Sequence, residues 1–190
     1  MADAPDPHAS TQDDVRRDDP LPDFSRSHAG ILIRLEELRA LPARLAEPGA
    51  DRRAARVAAA QIVEFFRVAV LEHHEEEEEA LFPAVARAAA PGDEASLVAS
   101  LAARLAREHR QIEADWKAIE PALERIAKGR PAEIDEGVVA RLCDLYAAHA
   151  QFEETGYLPL AAKILDANER ASLALTLHIR HSVDRVLGYM

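Results

Sequence analysis

The residues of this chain that could carry metal chemistry are its histidines and a run of five glutamates. Two histidines lead straight into that run, in HHEEEEEALFP from His73 to Pro83. A second segment, HAQFEETGYLP from His149 to Pro159, has the same layout. Both read His, three residues, Glu-Glu, two residues, two bulky residues and Pro. On a helix, residues four apart share a face about one turn apart. His73 with Glu77 and His149 with Glu153 could therefore each grip a metal ion or bridge two. Read alone, an acidic run is a solvated face, so a metal site here needs further donors elsewhere in the chain.

Two further histidines sit on apolar faces. His28 lies in HAGILIRL, among Phe24, Ile31 and Leu35, and His109 lies in EHRQIEADW, among Leu105, Ile112 and Trp116. Either one alone reads as a satisfied core histidine. Together with the repeat they make two helical hairpins, each offering one lone His and one His-x3-Glu. The candidate metal ligands are His28, His73, Glu77, His109, His149 and Glu153. Four imidazoles and two carboxylates exceed one tetrahedral zinc. They suit two ions sharing two bridging carboxylates. Nitrogen and oxygen donors without thiolate suit iron, with manganese or zinc as substitutes. Burying such a set without a cation would be costly.

The repeat also sets the register. His74 and Glu78 have the same spacing but sit one residue out of line, so the pair is assigned to His73 and Glu77. His74 and Glu75, Glu76, Glu78 and Glu79 are expected mostly to face solvent or a neighbouring loop. Glu78 and Glu154 are candidates to stand just behind the ligands. Glu113 shares a face with His109 and reads as a carboxylate at the rim of the pocket, with an extra metal ligand as the alternative. Tyr157, Tyr146, Trp116 and Cys143 read as core, and His178 and His181 fall outside the repeat.

The elements that would position these residues are helical throughout. Apolar spacing predicts a helix from about Ser25 to Ala40, a long one from Asp51 to Ala90 distorted at Pro83, a third from Glu94 to Lys128, a fourth from Asp135 to Leu165, and a fifth after Asp166. No strand pattern is present. The expected fold is all-α, an up-down-up-down four-helix bundle with an additional C-terminal helix. Residues 1–22, rich in Pro and Asp, read as a disordered acidic tail, and residues 23–190 as the bundle domain.

Composition narrows the function classes. The net charge of −11 comes mostly from the first 23 residues and from Glu75 to Glu79. No basic surface is visible for nucleic acid. No apolar stretch is long enough to span a membrane, and no signal pattern opens the chain. One cysteine, Cys143, allows neither an intrachain disulfide nor a thiolate zinc site and fits a reducing, cytoplasmic setting.

The ordered pattern of His28, His73-x3-Glu-Glu-x2-Leu-Phe-Pro, His109 and His149-x3-Glu-Glu resembles the hemerythrin-like, or HHE cation-binding, family over about residues 24–165. The resemblance implies a bundle around a non-haem di-iron centre with carboxylate bridges. It also implies handling of a small ligand such as O2, nitric oxide or peroxide, or the sensing or storage of iron. Enzymatic reduction of peroxide or nitric oxide, or aid to iron–sulfur cluster repair, is the alternative, although no flavin, haem or cysteine relay is visible. A metal-free helical interaction module is the third reading. Oxygen carriers of the family have a second histidine one turn after the third-helix histidine, where this chain has Glu113. The cluster-repair branch has a matching ligand set but usually an added module with paired cysteines. Ferritin-like oxidases use Glu-x-x-His, and Val70, Ala106 and Tyr146 stand three residues before His73, His109 and His149.

Overall fold

A computed structural model describes residues 19–47 and 51–187, with side chains up to His181. Among these residues the chain is all-helical, with no strand. Helix α1 is Leu21–Ala46. Helix α2 covers residues 52–88, α3 is Asp93–Ala127, α4 covers residues 136–164 and α5 is Ala167–Leu187. Helix α1 packs against α2 and α4, α3 also packs against α2 and α4, and α5 lies against the C-terminal part of α2. No helix among the described residues is long and apolar enough to cross a membrane.

The helices form where their apolar spacing requires burial. In α1 the buried residues are Leu21, Phe24, His28, Ile31, Leu35, Leu38 and Leu41. Their steps of three and four make a seam facing a partner. Helix α1 starts at Leu21, earlier than Ser25. Leu21 is itself buried, and Pro22 sits in the first turn, where its missing N–H costs nothing. Residues 21 and 22, expected in the tail, are thus helical, and residues 1–18 of that tail lie outside the described residues. The helix also runs past Pro42 to Ala46, because Leu41 is buried and Leu45 packs on the core. Asp51 and Asp135 cap α2 and α4 by accepting backbone N–H bonds. Asp166 and Glu169 exchange reciprocal bonds at the start of α5.

Helices α2 and α4 each widen by one residue at the prolines. Residues Glu77–Leu81 and Glu153–Tyr157 form π-turns, in which Phe82 and Leu158 donate to the carbonyls of Glu77 and Glu153, five residues back. Pro83 and Pro159 then fall in the first turn of a fresh α-segment, where they lose no bond. Each π-turn begins at the glutamate of a His-x3-Glu pair. A third π-turn, Phe66–Val70, precedes His73 in α2. It contains no proline and has no evident local cause.

The apolar core is divided in two. One cluster holds Ile31, Leu35 and Leu38 with Phe66, Val70, Ile112, Trp116, Leu142 and Tyr146. Within it, Phe66 and Trp116 stack with ring centroids 3.9 Å apart. The other cluster holds Leu21, Phe24, Leu81, Val85, Val98, Leu105, Tyr157 and Leu158, with Leu173 and Leu177 of α5. Between them every one of the first four helices contributes a polar residue at the same level: His28 between Phe24 and Ile31, His73 and Glu77 between Val70 and Ala80, His109 between Leu105 and Ile112, and His149 and Glu153 between Tyr146 and Tyr157. The bundle is two apolar layers enclosing one polar layer.

Candidate metal centre

All six residues singled out by sequence meet in this layer. His28, His73, Glu77, His109, His149 and Glu153 are each at most 3% exposed. The Nε2 atoms of the four histidines and both oxygens of each glutamate are buried without a hydrogen-bond partner. They are nevertheless close together. His73 Nε2 is 2.9 Å from Glu77 Oε1, and His109 Nε2 is 3.1 Å from Glu77 Oε2. His28 Nε2 and His149 Nε2 lie 3.4 and 3.7 Å from Glu153 Oε2.

These separations are those of donors around a shared cation. Two donors about 2.1 Å from one ion stand roughly 3.0 Å apart at a right angle and roughly 3.4 Å apart at the tetrahedral angle. Orphaned buried polar atoms are rare in native proteins and call for a partner. Eight of them gathered in one layer make a donor set that could hold metal.

The atoms fall into two groups, each with members within 4.8 Å of one another: His28, His73, Glu77 and Glu153 in one, and His74, His109 and His149 in the other. Glu77 joins them, since Oε1 faces His73 of the first group and Oε2 faces His109 of the second. Glu153 likewise stands between His28 and His149.

His74 is the correction. Expected to face solvent or a loop, it is 2% exposed and lies inside the layer. Its ring stacks on His109 with centroids 4.0 Å apart. His73, one residue earlier and about 100° around the helix, turns toward α1, with its ring centroid 4.7 Å from that of His28. Both adjacent histidines are buried because α2 faces a neighbour on each side. The repeat hid this, because the counterpart of His74 in α4 is Ala150. That residue is also buried, and its apolar character was the available sign that this register position points inward.

Carboxylates from behind hold four of the five rings. Glu154 accepts from His28 Nδ1 at 2.9 Å and Glu78 from His109 Nδ1 at 2.8 Å, as expected for these two glutamates. Glu108 and Glu113 of α3 stand 3.2 and 3.4 Å from Nδ1 of His149 and His74. Sequence reasoning missed Glu108 and placed Glu113 at the rim without a partner. Such contacts fix the ring with Nε2 free to face a metal, and they raise its basicity. Arg110 ties Glu78 and Glu113 together, and Arg104 holds Glu108 at 2.8 Å. His73 Nδ1 has no partner among the described residues, and a cleft of about 890 Å³ between α1, α2 and α5 reaches this histidine.

Burial governs the protonation of these groups. It pushes His73, His74 and His109 down to about 4 and lowers His149. Burial also opposes charge on His28, but the carboxylates of Glu153 and Glu154 outweigh it and hold that ring up to about 9. Glu153 is raised to about 7, first by burial and then by the charge of Glu77. The imidazoles are thus mostly neutral, the form that binds metal.

Other expected residues fall as follows. Tyr146 and Tyr157 are fully buried, with hydroxyls that lack a partner. Cys143 is buried and donates its thiol to the carbonyl of Leu35. His181 meets Glu72 and Glu76 of α2 along the cleft that reaches His73.

A helical bundle with an inward layer of imidazoles and carboxylates that could hold a metal is the arrangement expected of a cation-binding helical domain. The sequence model of the hemerythrin HHE cation binding domain matches residues 19–161, and the chain belongs to that family. No curated protein matches the sequence.

Proposed function

We propose that this chain is a non-haem di-iron protein that handles a small ligand such as O2, nitric oxide or peroxide. The reading rests on one observation. The two oxygens of Glu77 face histidines of different groups, His73 at 2.9 Å and His109 at 3.1 Å, as a carboxylate bridging two ions would. His28 and His73 would hold one ion, His109 and His149 the other, with Glu77 and Glu153 shared. Nitrogen and oxygen donors with no thiolate suit iron, with manganese or zinc as substitutes. Bound iron would supply reversible one-electron chemistry and a position for the small ligand. The chain's own residues orient the imidazoles through Glu78, Glu108 and Glu154 and exclude bulk water by the apolar layers above and below. Two buried hydroxyls, on Tyr146 and Tyr157, are left without a partner. The pairing of α1 with α2 and α4, and of α3 with the same two, supports an up-down-up-down order for the first four helices.

The test is metal analysis of protein loaded anaerobically with ferrous iron. About two ions per chain are expected, on the donor count of a di-metal bundle. Saturation at one ion, or no binding, refutes the reading.

A further inference from the structure

His74 is the one residue of the polar layer that the doubled motif does not account for. Its Nε2 is buried without a partner, like those of the other four histidines. One of its ring nitrogens lies within 4.8 Å of donor atoms on His109 and His149. Its ring is parallel to His109, with an interplanar angle of 8°. Its Nδ1 faces Glu113 Oε1 at 3.4 Å, as the Nδ1 atoms of His28, His109 and His149 face Glu154, Glu78 and Glu108. Glu113 is in turn held by Arg110 at 2.9 Å. His74 therefore has each mark of a ligand histidine: burial, an inward orphan nitrogen, neighbouring donors and a carboxylate behind it.

We infer that His74 is a seventh metal ligand, on the ion held by His109 and His149, and that Glu113 is its positioning residue. The inference rests on the di-metal reading above. It makes the centre asymmetric, with three imidazoles on one ion and two on the other. It also gives Glu113 a task that its sequence position does not suggest. The carboxylate neither binds metal nor sits idle at the rim. It accepts the Nδ1 proton of His74, fixing the tautomer that leaves Nε2 as donor.

A structural role is the rival explanation, since a buried ring stacked on His109 could serve packing alone. His74→Phe separates the two, because it keeps an aromatic ring at the stack and removes the donor. The experiment measures the affinity of each of the two bound ions by chelator competition with ferrous iron under nitrogen, and the melting temperature of the chelator-treated protein. His74→Phe is expected to keep one ion near wild-type affinity and to weaken the other more than 100-fold. Its metal-free form should melt no lower than wild type, since an unsatisfied buried nitrogen has been removed. Glu113→Gln, which retains an acceptor oxygen without the charge, should weaken the same ion by about 10- to 100-fold. His74→Ala serves as the second variant if phenylalanine does not fit, and should lose the same ion. Two ions at unchanged affinity in a folded His74→Phe or His74→Ala protein would overturn the inference and leave the di-metal reading intact. A wild-type protein that binds fewer than two ions would instead overturn the di-metal reading itself.

Discussion

Replacing Glu153 by glutamine should stabilise the metal-free protein while weakening its hold on metal. Glu153 is fully buried and shares a small space with Glu77. Burial first, and Glu77 second, raise its pKa from the ordinary 4.5 to about 7. With each tenfold change in proton affinity equivalent to about 1.4 kcal/mol, the ionised carboxylate costs the fold about 3 kcal/mol. The sign follows from linkage. Above pH 7 the group is ionised in both folded and unfolded states, and the cost is complete. Below pH 4.5 it is protonated in both, and the cost is gone. Glutamine has nearly the same shape and no charge, so the gain appears at pH 8 and disappears toward pH 4.5. The pairing with His28, 3.4 Å away, is already contained in that net cost; burying the glutamine amide without a partner returns part of the gain, so about 3 kcal/mol is the upper end. For a chain of this length 1 kcal/mol moves the melting temperature by about 2–4 °C. The metal-free Glu153→Gln protein should therefore melt up to roughly 6–12 °C higher than wild type at pH 8. The assay is thermal unfolding by circular dichroism after chelator treatment, at pH 8 and pH 5. With iron added the order should reverse, because metal binding only the folded state stabilises wild type by mass action. A variant that melts lower than wild type at pH 8 without metal, or a gain equal at both pH values, would refute the reasoning.

The metal-free wild type should lose stability on acidification from pH 6.5 toward 4.5. His73, His74 and His109 stay neutral in the fold down to about 4, whereas the unfolded chain protonates them below 6.5. Each ring then withdraws up to about 3 kcal/mol across that range. Glu153 acts in the opposite sense but is one group against three. The favourable contribution of His28 is lost only as pH rises toward 9. Urea midpoints that stay flat or rise between pH 6.5 and 4.5 would contradict this. Metal uptake near pH 7.5 should release a proton from His28, which is held protonated up to about 9 and must become neutral to coordinate. Calorimetric titration in buffers of different ionisation enthalpy reads that proton directly, and an enthalpy independent of buffer would count against His28 as a ligand.

Much of the centre was legible along the chain because its signals are local. The i, i+4 spacing of His73 with Glu77 and of His149 with Glu153, and the heptad steps around His28 and His109, are properties of single helices. So is the disturbance at Pro83 and Pro159, which the sequence announced and the fold resolves as π-turns beginning at the two glutamates. The contacts of Glu78 and Glu154 followed from their place beside Glu77 and Glu153.

The rest depended on where other helices lie. His74 is one residue from His73, so the two rings point about 100° apart, and nothing within α2 says whether the second direction meets water or protein. The position of α3 decides it, placing His109 4.0 Å from that ring. Glu108 and Glu113 acquire their partners in the same way, from histidines in α4 and α2. The sequence by itself determined the helices, their inward stripes and the six paired donors, because helical periodicity turns spacing into direction on one element. Only the tertiary structure decided that the stripes meet at one level between two apolar layers, that five imidazoles rather than four enter it, and which carboxylate stands behind each, because those facts are distances between helices far apart in the chain.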